Sequence, residues 1–141
     1  MRPAQPPIGL HLTQATRSVS RAFDESLAEA GGSLPVWLVL LNLKADSRAN
    51  QRQISTSVGI SEATLTHHLN SMERDGLITR RRDDTNRRVH VVELTDGGEA
   101  LFSRLRSAAL EFDRRLRKGI SDKDAQHLRE LLSRLAANVS D

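Results

Sequence analysis

The sequence predicts a mainly α, α+β fold, and three observations carry that expectation. Apolar residues recur at three-and-four spacing in long segments toward both ends of the 141-residue chain, two short helical segments meet around Gly59, and beyond Leu77 the period changes to an imperfect two. The length suits one domain with its own core.

The elements follow in order. Leu12, Ala15, Val19, Ala22, Phe23, Leu27 and Ala30 share one helix face, and Gly31-Gly32 stops that helix. Ser33 is placed to cap the next one, with Pro35 tolerated in its first turn. Val36 to Leu41 is apolar all round, as a buried central helix requires. After the polar stretch from Lys44 to Arg52, Ile54 and Val58 share the face of a short helix. Gly59 then supplies a permissive turn, Ile60 fills the angle and Ser61 caps a further helix. In that helix Leu65, Leu69 and Met72 point inward, which leaves Glu62, Ala63, Thr64, Thr66, His67 and Asn70 on other faces; Gly76 ends it.

Two strands, roughly 77 to 82 and 88 to 94, are expected to meet across Asp83 to Arg87, whose Asp, Asp and Asn suit a turn. Val89, Val91 and Leu94 form the apolar side of the second strand, alternating imperfectly with His90, Glu93 and Thr95. Thr95 or Asp96 caps a long helix bearing Ala100, Leu101, Leu105, Ala108, Phe112 and Leu116, ended by Gly119. Ser121 to Asp124 resembles a capping box that opens a last helix with Leu128, Leu131, Leu132, Leu135 and Val139.

Composition narrows the function. Lys plus Arg number 21 against 18 Asp plus Glu, a formal net charge of only +3, yet residues 80 to 88 alone hold five arginines and two aspartates. The surplus is local, and a local basic patch suits a partner with phosphates. The absence of cysteine removes disulfides, thiolate nucleophiles and thiolate metal ligands. Aromatic residues at 3% leave little for stacking on unpaired bases. The first residues lack the apolar centre of a signal peptide, and Val36 to Leu41 is too short to span a bilayer, so a soluble cytoplasmic protein without a membrane partner is expected.

Catalysis is not expected, and neither is a cofactor. There is no Gly-rich phosphate loop and no nucleophile motif, and Asp83 and Asp84, adjacent on a turn and flanked by arginines, make poor general acids. His67 and His68 project about 100° apart on a helix and cannot share one ion well. His11, His90 and His127 have no ligand-spaced partner, so roles other than metal ligation are preferred, with a metal-sensing protein built from distant residues as an alternative.

A helix-turn-helix followed at once by a basic hairpin makes a winged helix, whose shape addresses duplex DNA. A helix fits the major groove, where Thr, Ser and His reach base edges, and a hairpin can lay arginine into the minor groove beside it. The candidates are Ser61, Glu62, Ala63, Thr64, Thr66 and His67 on the helix, and Arg80, Arg81, Arg82, Arg87 and Arg88 on the hairpin. The competing reading is a helical adaptor that uses its Leu stripes for protein contacts. Those stripes need more partners than a small winged helix supplies, which favours a homodimer over terminal helices that merely cover the lobe.

The order of six helices with a hairpin between the fourth and fifth, the stretch TLTHHLNSMERDGLITR and above all DDTNRRVHVVELTDGG resemble the MarR family of bacterial transcription regulators over nearly the whole chain. The family's wing pattern falls on Asp83, Asn86, Arg87, Arg88, Leu94, Thr95 and Gly98, with Asn86 where an aspartate is common. An aspartate there would brace a wing arginine by a charged bond, whereas Asn86 offers only a neutral one. The resemblance adds Asp83 and Asn86 to the wing residues and puts Arg87 in the minor groove, with Arg88 and Arg80 to Arg82 nearer the phosphates.

It implies a repressor acting as a homodimer on a pseudo-palindromic operator. Residues 8–32 and 99–141 would be dimerisation helices and residues 33–98 the DNA-binding lobe of a single domain. It also implies an aromatic or anionic effector where the first, second and fifth helices meet the lobe, for which the matching segments offer His11, Arg17, Arg21 and Trp37. Against that stands the preferred plainer reading, in which Trp37 is core and Arg17 and Arg21 are a solvated helix face.

Overall fold

The computed structural model describes residues 4–47 and 49–141. The elements run α1 (Ile8–Glu29), α2 (Leu34–Ala45), α3 (Gln51–Val58), α4 (Glu62–Arg74), β1 (Ile78–Arg82), β2 (His90–Leu94), α5 (Asp96–Leu116) and α6 (Asp122–Val139). They divide into two compact units, Met1–Ala109 and Leu110–Asp141.

In the first unit the helices begin where polar side chains satisfy free backbone amides. Ser33 Oγ accepts from Val36 N at 3.4 Å, and Ser61 Oγ accepts from Thr64 N at 3.1 Å. Asn50 opens α3 with a full capping box, since its Oδ1 accepts from Gln53 N and Gln53 Oε1 accepts from Asn50 N. Each such cap is worth about 1 kcal/mol. Between α3 and α4 the backbone of Gly59 adopts φ 77°, a left-handed conformation that side chains with a Cβ resist, and this produces the sharp angle of the helix-turn-helix.

The core gathers around α2, whose Trp37, Val39, Leu40 and Leu43 are buried. Leu27 of α1, Ile54 of α3, the Leu65, Leu69 and Met72 face of α4, Ile78, Val92, Leu101 and Leu105 complete it. Burying one Leu or Ile side chain stabilises by about 1.5–3 kcal/mol, so this cluster fixes the inner face of α4 and leaves its outer face free.

The antiparallel hairpin pairs Ile78 with Leu94, Arg80 with Val92 and Arg82 with His90. Its strands are shorter than the sequence suggests because the turn is longer: Asp83 N donates to Val89 O and Val89 N donates to Asn86 O, both at 2.9 Å. The expected alternation of Val89 and Val91 is corrected here. Val91 and Val92, adjacent in β2, are both buried, and Val89 is only half-buried outside the strand. Val92 faces the core, while the Ala49 and Asn50 segment runs beside β2, Asn50 bridging Val91 and Ala49 O accepting from Val92 N at 3.1 Å.

Thr95 joins the hairpin to α5. Its Oγ1 accepts from Gly98 N at 3.1 Å and donates to Gly76 O, and its own N donates to Leu77 O. A Cβ on Gly98 would lie 2.1 Å from Leu77 O, so only glycine permits this approach. Upstream, α1 is exposed from Ile8 to Arg21, with Leu10, Leu12 and Val19 uncovered.

In the second unit Ser121 Oγ caps α6 by accepting from Asp124 N. Arg117 pairs with Asp113 at 3.7 Å and Asp122 at 2.5 Å, which ties the end of α5 to the start of α6. Along α6, Leu128, Leu131, Leu132 and Leu135 are exposed.

Candidate nucleic-acid interface

The fold presents α4 with one face sealed and the other open. Leu65, Leu69 and Met72 are fully buried, and at 3.6 residues per turn the opposite ridge is Ala63, His67, Asn70 and Arg74, all exposed. Ser61, Glu62 and Thr64 crowd the exposed first turn. Ser61 and Thr64 are bonded to each other, Ser61 Oγ donating to Thr64 Oγ1 at 2.9 Å, so both hydroxyls are partly committed to the cap. Thr66 is committed further: its Oγ1 donates to Glu62 O at 2.8 Å and accepts from Gln51 Nε2 at 2.7 Å, which ties α4 to α3. His67 is exposed, and its ring lies 5.8 Å from that of half-buried His68 in an edge-on arrangement.

The wing arginines separate into two groups. Arg80 Nη2 donates to Asn70 Oδ1 and to Glu73 Oε1, turning β1 toward α4. Arg81 pairs with Glu93 at 2.8 Å and with Asp84 at 3.9 Å, and Arg82 Nη1 donates to the carbonyl of Arg87 at 3.3 Å. Three of the five are therefore engaged within the lobe. Arg87 and Arg88 are exposed, and among the described residues neither guanidinium has a protein partner. The turn that carries them is shaped by its own polar residues: Asp83 Oδ1 accepts from Thr85 N and Asn86 Oδ1 accepts from Arg88 N. Asn86 thus braces backbone rather than an arginine side chain, which is what a neutral amide does well.

The Glu73 carboxyl is perturbed. The Arg80 guanidinium, hydrogen-bonded to Glu73 and adding its charge, holds that carboxyl below the usual glutamate value, against a smaller opposing effect of desolvation. A cleft of about 450 Å³ opens between the start of α3, the start of α4 and the base of the wing, lined by Asn50, Arg52, Glu62, Arg88 and His90 among others. Arg52 was not among the residues expected on this surface. The signal that places Arg52 is the capping box, which starts a helix at Gln51 and sets Arg52 in its first turn.

The effector candidates are spread out. His11, Arg17 and Arg21 are exposed along α1, and Trp37 is buried with its ring stacked on Phe102 at 5.4 Å between centroids. Among the described residues no group of three or more His, Cys, Asp or Glu is arranged to hold a metal ion, and no single helix is long and apolar enough to cross a membrane.

Comparison with known proteins agrees with this geometry. The family model described as MarR family matches residues 33–90. The transcriptional repressor CouR bound to a 23-mer DNA duplex is 29% identical, with 92% of each chain covered and a TM-score of 0.85. CouR bound to p-coumaroyl-CoA aligns at 27% identity over 92% of this chain and 91% of that one, TM-score 0.80. A probable transcriptional regulator from Pseudomonas aeruginosa is 27% identical over 91% of this chain and 96% of its own, TM-score 0.81. Residues 33–90, which hold the helix-turn-helix and the arginine wing, are thus the part of the chain that matches the MarR family.

Proposed function

We infer that this protein is a DNA-binding transcriptional regulator, a repressor working in the cytoplasm as a homodimer on a pseudo-palindromic operator. The observation that carries the reading is the pairing, on one lobe, of an open ridge on α4 with two wing arginines whose guanidiniums have no partner among the described residues. An exposed helix ridge fits the major groove, and free guanidiniums serve phosphates or the electronegative minor groove beside it. CouR, similar over 92% of its length, is described as a repressor bound to duplex DNA, which supports the same role here.

Ser61, Glu62, Ala63, Thr64 and His67 are the groove-facing residues in this reading, with Arg87 reaching the minor groove and Arg88 a phosphate. Thr66 shapes the helix more than it reads, since both its hydroxyl bonds lie inside the lobe. The exposed apolar stripes of α1 and α6 support a homodimer, because exposed Leu and Val in such rows call for a cover. The role is regulatory rather than enzymatic: Asp83 and Asp84 serve the turn and the Arg81 pair instead of facing a substrate. An aromatic or anionic effector fits the p-coumaroyl-CoA seen on CouR, with Arg17, Arg21 and Trp37 as the residues to test. A gel-shift titration with random-sequence duplex at low salt tests the function. Binding by the intact chain is expected, and no binding even at low salt contradicts the reading, because non-specific affinity is electrostatic and needs no operator.

A further inference from the structure

The contact between Arg80 and Asn70 assigns roles to two residues within the DNA-binding reading, on which this inference rests. Arg80 sits in an arginine-rich strand, where a phosphate contact is the ready expectation. Instead its side chain is only 19% exposed, against 39% for Arg81, and one nitrogen, Nη2, spends its hydrogens on Asn70 Oδ1 at 2.5 Å and Glu73 Oε1 at 3.0 Å. Glu73 neutralises the guanidinium and fixes it over α4.

The chemistry of the pair settles how Asn70 is turned. A guanidinium has only donors, so the atom that meets it is the amide oxygen, and the NH₂ group points the other way. Among the described residues no group accepts from that NH₂. Asn70 is exposed and lies on the ridge with Ala63 and His67, opposite the buried Leu65, Leu69 and Met72. A free asparagine offers both a donor and an acceptor, which suits adenine. Asn70, with its oxygen turned to Arg80 and its NH₂ turned away, presents donors outward.

We propose that Asn70 is a sequence-reading residue of α4 and that Arg80 is its positioning residue, locking the amide so that it presents N–H donors to acceptor edges in the major groove. Such a group favours the guanine O6 and N7 edge or the thymine O4 over the amino group of cytosine. Arg80 then contributes to sequence preference without touching DNA.

The experiment is selection of bound duplexes from a random-sequence library with the full chain, for the wild type, Asn70→Ala, Arg80→Met and the double variant. Asn70→Ala is expected to lose preference at one base pair of each half-site, roughly tenfold or more, with the rest of the motif intact. Arg80→Met should blur that same base pair, add nothing there in the double variant, and leave the salt dependence of binding unchanged because no phosphate contact is lost. Asn70→Ala is safe for the fold, being an exposed helix position that receives the best helix former, so it decides the matter even if Arg80→Met does not fold. A wild-type motif retained by Asn70→Ala, or weakening spread evenly over all sequences, overturns the proposal. So does an Arg80→Met variant whose salt slope falls by about one for each arginine removed. A wild type that enriches no motif contradicts the DNA-binding reading itself, and the proposal with it.

Discussion

Replacing Gly98 by alanine adds one methyl group at the junction between the wing and α5, and the structure sets what that methyl meets. The new Cβ would sit 2.1 Å from Leu77 O and 2.8 Å from Leu94 Cδ2, where real contacts essentially never fall below 3.0 Å. The side chain of Leu94 can give; the carbonyl cannot, because it accepts from Thr95 N at 3.1 Å, beside the bond from Thr95 Oγ1 to Gly76 O. The backbone must open by about 0.9 Å. One weakened hydrogen bond costs about 1 kcal/mol and the strain of overpacking about 1–3 kcal/mol, while alanine returns up to about 1 kcal/mol of helix propensity. The net loss is about 1–3 kcal/mol, or roughly 3–10 °C in Tm for a chain of this size. Thermal unfolding followed by circular dichroism reads it, at matched protein concentration because a dimer's Tm depends on concentration. Gly9→Ala is the control: the same methyl in exposed α1 meets nothing within 4 Å and should leave Tm unchanged or slightly raised. A Gly98→Ala protein that melts at or above the wild-type temperature refutes the reasoning.

Three further outcomes follow from the same geometry. Leu69→Ala, at a fully buried position of α4, should cost about 2–5 kcal/mol and lower the urea midpoint; an unchanged midpoint means that α4 does not pack as described. Glu73 has its pKa lowered in the folded chain by Arg80, so the pair stabilises fully above the ordinary glutamate range and the contribution is lost as pH falls through the lowered folded value. Arg80→Met should therefore flatten the acid side of the stability profile, and profiles of equal steepness contradict the pairing. If an aromatic acid is the effector, salicylate-like compounds should quench Trp37, the chain's one tryptophan, and release DNA over the same concentration range; quenching without release marks a site that does not distinguish the two conformers.

What was legible in the sequence was chiefly local. Ser33, Ser61 and Ser121 cap helices because their hydroxyls reach an amide three residues ahead, a relation written in adjacent residues. The inward face of α4 follows from spacing alone, and burial of Leu65, Leu69 and Met72 matches it. The hairpin was legible from its charged, Asp- and Asn-rich turn, but its strand ends were not, since Val89 bonds back to Asn86 in the turn. Two adjacent buried valines in β2 depend on the distant Ala49 and Asn50 segment, which no period in the strand announces. The arginines show the limit most clearly. Arg80, Arg81, Arg82, Arg87 and Arg88 look alike in a row of letters, and only the positions of Asn70, Glu73, Glu93 and the Arg87 carbonyl separate the engaged from the free. Gly98 was recognisable as part of a motif, yet its physical necessity lies in the Leu77 carbonyl above it.

The central claim is that duplex DNA meets this protein at the free arginines of the wing. The most direct measurement is the affinity of the intact protein for one duplex as a function of salt, compared with Arg87→Ala and Arg88→Ala combined. Each phosphate contact contributes about 0.9 to the slope of log affinity against log salt, and a homodimer carries the pair twice. A minor-groove Arg87 counts only through the phosphates it neutralises. The slope should therefore fall by about 2–4 and the affinity with it. An unchanged slope at unchanged affinity would place the DNA elsewhere, or nowhere, on this protein.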